Sequence, residues 1–385
     1  MIIYIDKSIA EHGTLTDSEQ WMFTELACAH VRGYCYLCGD TKSIDFLKDE
    51  VPSYQRVSFA KYAELGTLFK SVETLVIISY DGASDLPEVI KAKKAQDEKN
   101  VRVFSVEQAI GYRLNEQCIL LGESTNDCKF YQLLGQRYKH SIKDTIRGVD
   151  ISLKDENGGG DSTHNQLDKC VGSEHHLTFC LTDSDKKHGT SQKYVNKPGL
   201  GTTASLLKES EEALNTEGLG NLFELYCLDV HEAENLIPLS LLEELEICDA
   251  NGENRGITYL RKLQNEQKAL RDKYPEVLLC YDIKNGIKIQ DLRVKSAHPQ
   301  FKKKPLLAYW EEVASIVGDD SLPGVANNAL VLALDRMKQK DASGYEKFLV
   351  ISLDDHLVNY WNTIGKKVFS WGFANKPRAT NPSHC

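Results

Sequence analysis

The feature that most constrains this chain is the alternation of short apolar runs with longer amphipathic stretches. The stretches between the runs space their apolar residues as helices do, and the runs have the length and β-branched content of buried strands: MIIYID, YCYLC, TLVIISYDG and VRVFSV. Strands separated by helices predict a parallel sheet, because parallel neighbours need a crossover connection. We therefore expect an α/β fold, whose ligands bind beyond the carboxyl ends of the strands.

The alternation resumes after residue 117 and gives way to helical patterns after Pro238. The second series has the strand-like runs CILLGES, VDISLKDE, LTFCLTDSD and NLFELYCLDV, and two more, VLLCYDIKNGIKI and KFLVISLDD, interrupt the helical part. We predict an N-terminal α/β domain (1–112) with a regulatory or partner-docking role and a central parallel-sheet domain (113–240) that carries catalysis. A mostly helical C-terminal region (241–385) would complete the site.

Charge and composition limit the classes of function. The net charge of −10 argues against a generally basic nucleic-acid-binding surface, so an acidic enzyme acting on nucleic acid would need bound cations. The N-terminus lacks a basic n-region, and no run approaches the roughly 20 apolar residues of a membrane span. Most of the 11 cysteines lie in apolar runs, and the one CxxC pair has no partner pair for zinc. We expect a cytoplasmic protein without membrane association.

Acidic residues follow the predicted strands of the second series. Glu123 ends one strand, and Asp127 follows in the first turn of the next helix, so both carboxylates can reach one cation. Asp183 and Asp185 end another strand, where alternate residues share a face. Carboxylate oxygens are ligands that Mg²⁺ and Mn²⁺ prefer. The pattern predicts a metal site at the carboxyl edge of the sheet.

These motifs, in this order, resemble the TOPRIM family, which is shared by topoisomerases, primases and overcoming-lysogenisation-defect (OLD) nucleases. ILLGESTNDCKFY is similar to the family's first motif, a strand followed by Glu-Gly-x-x-Asp or Glu-Gly-x-x-Glu, with Ser124 in place of the glycine. FCLTDSDKK is similar to its Asp-x-Asp motif, and VDISLKDENGGG to the strand and glycine turn between the two. The resemblance covers residues 117–238 and extends more loosely to Lys284.

A third stretch, YCLDVHEAENLIP, resembles the downstream acidic motif of OLD-type and bacterial antiphage-defence TOPRIM proteins. The resemblance implies an Mg²⁺- or Mn²⁺-dependent endonuclease with one or two cations. It implies catalytic roles for Glu123, Asp183 and Lys284, and metal binding by Glu123, Asp127, Asp183, Asp185, Asp229, Glu232 and Glu234. Lys284, in YDIKNG, would be the lysine that assists at the scissile phosphate.

The implied substrate is DNA or RNA, tRNA included, and the implied setting is antiphage defence or a toxin-like system. The resemblance implies a separate ATPase or sensor protein, or a second copy of the chain, as the partner, and the absence of a Walker motif in the chain is compatible with this. Two other functions are open. One is a catalytically inactive TOPRIM adaptor in a larger assembly, and the other is a primase- or topoisomerase-like enzyme.

Each motif also has a purely structural interpretation. Asp183 and Asp185 can belong to a turn, and Glu123 and Asp127 can stabilise a helix N-terminus. Gly158–Gly160 form either a plain turn or a phosphate cradle. His231 is a ligand, a proton shuttle or a hydrogen-bonded structural residue. The run Lys302–Lys304 either meets a nucleic-acid backbone or is a solvated turn.

Overall fold

The computed structural model describes residues 1–57, 59, 62–83, 86–185, 202–245, 247, 254–266, 276–296, 304–318 and 321–377. Lys302 and Lys303 lie outside these residues. None of the helices in the described ranges is both long enough and apolar enough to cross a membrane. The chain divides into two compact units: unit 1 is 1–181, 207–226 and 362–385, and unit 2 is 182–206 and 227–361.

The N-terminal alternation forms the predicted parallel sheet in unit 1. Its strands are β1 (Ile2–Ile5), β2 (Tyr36–Gly39), β3 (Leu75–Ser79) and β4 (Val101–Ser105). They lie in the order β2-β1-β3-β4, and each neighbouring pair is parallel. The helices of this part are α1 (Ser8–His12), α2 (Asp17–Arg32), α3 (Thr41–Glu50), α4 (Tyr62–Ser71), α5 (Glu88–Gln96) and α6 (Val106–Gly111).

A second four-stranded sheet follows. Its elements in chain order are β5 (Cys118–Gly122), α7 (Thr125–Ser141), β6 (Val149–Ile151), β7 (Leu153–Asn157), α8 (Thr163–Leu167), β8 (Thr178–Thr182), α9 (Thr202–Thr216) and β9 (Phe223–Cys227). The sheet order is β7-β5-β8-β9, and β5 is parallel to both β7 and β8. The run VDISLKDE, predicted as one strand, is divided, since β6 pairs with a strand from the C-terminal end of the chain.

The rest of the chain is mostly helical, as predicted. Its elements are α10 (Leu239–Glu244), α11 (Arg255–Arg261), α12 (Val277–Cys280), β10 (Gly286–Lys288), α13 (Ile289–Ser296), α14 (Lys304–Val317), β11 (Ser321–Pro323), α15 (Ala329–Met337), α16 (Lys347–Val350), α17 (Asp355–Gly372) and β12 (Phe373–Asn375). β10 and β11 form an antiparallel pair in unit 2, and β12 pairs with β6 in unit 1.

Two strand predictions in this region are wrong in part or in full. VLLC, the start of the run VLLCYDIKNGIKI, forms the short helix α12, whereas GIK at its end forms the strand β10. KFLV forms the short helix α16. A run of about four residues fits a strand and a helical turn equally well, and only the packing partners decide between them.

The core of unit 1 explains why the N-terminal sheet forms. Tyr4, Ile77 and Phe69 pack in one apolar cluster with Phe373 of β12. Phe373 also accepts a hydrogen bond from the N-terminal amine of Met1. Unit 1 therefore contains almost all of both four-stranded sheets together with β12. The division into domains at 1–112, 113–240 and 241–385 remains a prediction.

Candidate functional site

The predicted first motif lies in unit 1, at the start of α7. Ser124 is the N-cap: its hydroxyl accepts the N–H of Asp127 at 3.3 Å, and the Asp127 carboxylate accepts the N–H of Ser124 at 2.8 Å. This reciprocal pair is a capping box, which satisfies two backbone N–H groups that the helix itself leaves unpaired. Asp127 therefore has a structural role, and the spacing between Glu123 and Asp127 partly reflects that role.

The glycine turn after β7 packs against the residue that follows β5. The amide of Gly158 donates to the carbonyl of Gly122, and those of Gly159 and Gly160 donate to the carbonyl of Glu123. Gly159 and Gly160 have φ of +74° and +63°, which favour glycine, and a Cβ on Gly158 would lie 2.2 Å from Oγ1 of Thr163. These amides bind protein carbonyls, so the turn fits the plain interpretation better than the phosphate cradle.

The second motif follows β8 and lies in unit 2. The strand ends at Thr182, and Asp185 has a left-handed φ of +51°, so the alternation of a strand does not orient Asp183 and Asp185 as predicted. Two hydrogen bonds hold this loop to the third motif: the Ser184 hydroxyl donates to the carbonyl of Val230, and the amide of Asp185 donates to that of His231. The two acidic motifs that follow β8 and β9 are thus neighbours.

The third motif turns into a short 3₁₀-helix. Glu232 directly precedes Ala233–Leu236, and its amide donates to the side chain of Asn235 at 3.0 Å. The Asn235 amide group in turn donates to the carbonyls of Leu278 and Tyr281, both at 2.8 Å. The buried asparagine therefore fixes the loop that carries Glu232 against the segment that precedes Lys284.

Lys284 joins the two glutamates of this motif. Its ammonium lies 3.0 Å from a carboxylate oxygen of Glu232 and 3.0 Å from one of Glu234, and its backbone N–H donates to Glu232 at 3.2 Å. Both glutamates are buried, with 8% and 3% of their surface exposed. The sequence left open whether Glu232 and Glu234 face one site; they share a lysine although no strand continues through them.

The charges of this cluster influence one another strongly. Burial and the nearby Glu232 carboxylate raise the pKa of Glu234 to about 7, although Lys284 opposes the shift. Burial by itself lowers the pKa of Lys284, but Glu234 and Glu232 raise it above its ordinary value. One ammonium thus neutralises two carboxylates only partly, and the cluster favours additional positive charge.

A second group of ligand-type side chains overlaps this cluster at Glu232. One ligand atom each from His231, Glu232 and Asp282 lies within 4.8 Å of the others. Asp282 accepts the N–H of Asn285 at 2.7 Å. Burial tends to raise the pKa of Asp282, but the His231 ring and Asn285 hold it below its ordinary value. In the described part of the chain, this group of three does not include the partly buried residues Asp183, Asp185 and Asp229.

Sequence reasoning missed Asp282. In YDIKNG it precedes an Asn-Gly pair, and an aspartate at that position ordinarily indicates a turn. The turn is present: Gly286 has φ of +72°, and its amide donates to the carbonyl of Asp282. No sequence signal separates an aspartate that only closes a turn from one that also faces a histidine 51 residues earlier. The fold alone brings them together.

Comparison of the chain with known protein families, with curated proteins and with solved structures finds no match.

Proposed function

We propose that this chain is a divalent-cation-dependent phosphodiester hydrolase, a TOPRIM-type nuclease that cleaves DNA or RNA. One observation carries the proposal: Glu232, Glu234 and Lys284, selected by the resemblance from two distant segments, meet at 3.0 Å. Hydrogen bonds to the carbonyls of Val230 and His231 hold the loop of Asp183 and Asp185 close to this cluster in unit 2. A chance coincidence of acidic turns would not be expected to bring the lysine to both carboxylates.

The chemistry of the cluster suits a phosphate substrate. A bound Mg²⁺ or Mn²⁺ would supply charge for the phosphate oxygens and lower the pKa of an attacking water. We propose that the carboxylates of Glu232 and Glu234 would hold such a cation. Lys284 keeps the two carboxylates together and carries a cationic head that can donate hydrogen bonds to a phosphate.

For Glu123 and Asp183 we propose the roles that the resemblance implies. Each directly follows a strand of the second sheet, Glu123 after β5 and Asp183 after β8. We propose Glu123 as a metal ligand or general base and Asp183 as a metal ligand. Asp127, Asp185 and Asp229 are proposed as supporting ligands, with Asp127 also capping α7.

The test is a cleavage assay with purified protein. Plasmid, single-stranded DNA and total tRNA are each incubated with Mg²⁺, with Mn²⁺ or with EDTA. We expect cleavage of at least one substrate with a cation and none with EDTA. Glu123→Gln and Asp183→Asn should each slow cleavage about 100-fold or more, the loss typical of a positioned acid–base or charge-stabilising group.

Two matched controls make the same chemical changes on exposed helical residues. Glu107→Gln in α6 and Asp335→Asn in α15 should leave the cleavage rate within about twofold, since surface changes of this kind are close to neutral. Full activity in both Glu123→Gln and Asp183→Asn would contradict the assignment of these residues. No cleavage of any substrate with either cation would contradict the proposed activity itself.

One observation favours a second candidate, a catalytically inactive adaptor. The Asp127 carboxylate caps its own helix, and Ser124 takes part in that cap in place of the family's glycine. An adaptor would cleave none of the substrates with either cation. A topoisomerase-like enzyme would instead relax the plasmid without loss of strands. A role in antiphage defence beside a separate ATPase or sensor is part of the proposal and rests on the resemblance.

A further inference from the structure

We propose that His231, Glu232 and Asp282 form a binding site for a divalent transition-metal ion such as Mn²⁺ or Zn²⁺. Neither His231 nor Asp282 belongs to the carboxylate set that the TOPRIM resemblance selects. Because the site shares Glu232 with the proposed hydrolase cluster, it rests on the proposed function to that extent. Metal binding can nevertheless be measured without any nucleic acid.

The three side chains already lie close to coordination geometry. Their ligand atoms are within 4.8 Å of one another, whereas ligands about 2.1 Å from one ion lie roughly 3–4 Å apart. Small side-chain rotations would close that difference. His231 and Asp282 also line a cleft of about 320 Å³, whose walls include Asn285, Lys288 and Asp291. A cation therefore has a route from solvent to the site.

The state of His231 points to a ligand that the protein itself does not supply. The residue is 7% exposed, and its Nδ1 is buried without a hydrogen-bond partner among the described residues. Its Nε2 is 3.8 Å from Asp282, beyond the length of a normal hydrogen bond. Buried histidine nitrogens are ordinarily hydrogen-bonded or bound to a metal; Nε2 of His231 has a charge contact with Asp282, whereas Nδ1 has no hydrogen-bond partner among the described residues.

The backbone around the site is fixed before any cation binds. The amide of His231 donates to the carbonyl of Leu279 at 2.7 Å, and that of Glu232 to the Asn235 side chain at 3.0 Å. Lys284 uses one hydrogen-bonding position on each Glu232 oxygen. A carboxylate offers about four such positions, so Glu232 can hold the lysine and a cation together.

The donor set determines the class of cation. An imidazole nitrogen with two carboxylates suits Mn²⁺, Zn²⁺ and their neighbours better than Mg²⁺, which prefers oxygen ligands and keeps its waters. We therefore expect the site to bind Mn²⁺ in preference to Mg²⁺.

The experiment titrates Mn²⁺ into the full-length protein without nucleic acid and follows free Mn²⁺ by electron paramagnetic resonance. Pulsed measurements on the bound ion then report modulation from a directly coordinated ¹⁴N nucleus. Wild-type protein should bind Mn²⁺ with a nitrogen signal that excess Mg²⁺ does not readily remove. Asp282→Asn and His231→Gln should each weaken binding at this site at least about tenfold, and His231→Gln should abolish the nitrogen signal.

Asp291→Asn is the matched control, since it removes a carboxylate from the same cleft but not from the group of three. It should keep the affinity within about twofold and retain the nitrogen signal. Absence of the nitrogen signal in wild-type protein would overturn the proposal, and so would wild-type affinity in Asp282→Asn. The wild-type signal and Asp282→Asn decide the question even where His231→Gln does not fold.

The cleavage assay separates this proposal from the proposed function. Cleavage with Mg²⁺ in a protein that shows no nitrogen signal would contradict the metal site and leave the nuclease standing. A nitrogen signal in a protein that cleaves no substrate would support the metal site and contradict the nuclease.

Discussion

At the scale of single residues, His176 shows how burial determines protonation in unit 1. Only 3% of its surface is exposed, and its ring nitrogens lie 3.7 Å from Glu116 and 3.5 Å from Glu174. Burial lowers the pKa of His176 below its ordinary value, and Glu116 and Glu174 only partly offset this. Arg113 and Lys154 act in the same direction as burial.

This shift predicts a loss of stability at mildly acidic pH. Below about pH 6.5 the unfolded chain binds a proton at His176 that the folded chain binds only at lower pH, so the free energy of unfolding falls as the pH falls. Replacement by Asn removes the titrating group. Urea denaturation at pH 7.5 and 5.5 should therefore show a smaller pH dependence in His176→Asn than in wild-type protein.

His164→Asn is the control, because His164 is partly exposed and its Nδ1 contacts the carbonyl of Asp161. It should leave the difference between pH 7.5 and 5.5 unchanged. Equal pH dependence in wild-type protein and His176→Asn would contradict the assigned shift.

At the scale of elements, the start of α7 is stabilised by side chains whose capping role can be read from the sequence. Ser124 and Asp127 close the capping box, and the preceding strand ends at Gly122. A Cβ on Gly122 would lie 2.9 Å from the sulfur of Cys128, so the tight strand-to-helix connection requires this glycine. The same residues that resemble a catalytic motif thus begin a helix.

Loss of the cap should have a measurable cost. Ser124→Ala removes the hydroxyl acceptor and should lower the free energy of unfolding by about 1 kcal/mol. Ser124→Gly introduces the glycine of the TOPRIM motif that this segment resembles and should cost only about a few tenths of a kcal/mol, since glycine is tolerated at an N-cap. Denaturant titration of both variants measures the difference. Equal stability of wild-type protein and Ser124→Ala would show that the cap contributes little.

At the scale of the whole chain, Arg102 connects distant parts of unit 1. Its side chain, 2% exposed, leaves β4 and donates to the carbonyls of Gly220, Asn221 and Phe223 at 2.8–3.0 Å. The guanidinium also lies 4.8 Å from the ring of Trp371. Burial lowers the pKa of Arg102 to about 10, although the carboxylate of Glu224 opposes the shift. The residue remains charged at neutral pH.

Removal of this side chain should destabilise unit 1 strongly. Arg102→Leu leaves three carbonyls without their donor and should lower the free energy of unfolding by about 3 kcal/mol or more. Arg113→Leu makes the same chemical change at a half-exposed arginine and should cost less than about 1 kcal/mol. Thermal or denaturant unfolding of both variants measures the contrast. A cost for Arg102→Leu no larger than that for Arg113→Leu would contradict the role of Arg102.

The sequence by itself determined the α/β class, the N-terminal strands and the helical C-terminal region. Apolar periodicity, glycine turns and N-cap residues act over a few positions, and such local signals can be read directly from the chain. The selection of Glu232, Glu234 and Lys284 came instead from the resemblance to the TOPRIM family, and their joint use of one ammonium needed the fold. The local signals did not show that VLLC and KFLV form helices, because such short runs fit both a strand and a helical turn.

Only the tertiary structure decided which side chains meet. Asp282 appears in the sequence as a turn residue, yet the fold brings it to His231 and Glu232. The fold also ended β8 before Asp183, so the expected alternation failed there. Contacts between distant segments depend on how buried elements pack, and no local pattern encodes the partner of a single polar side chain.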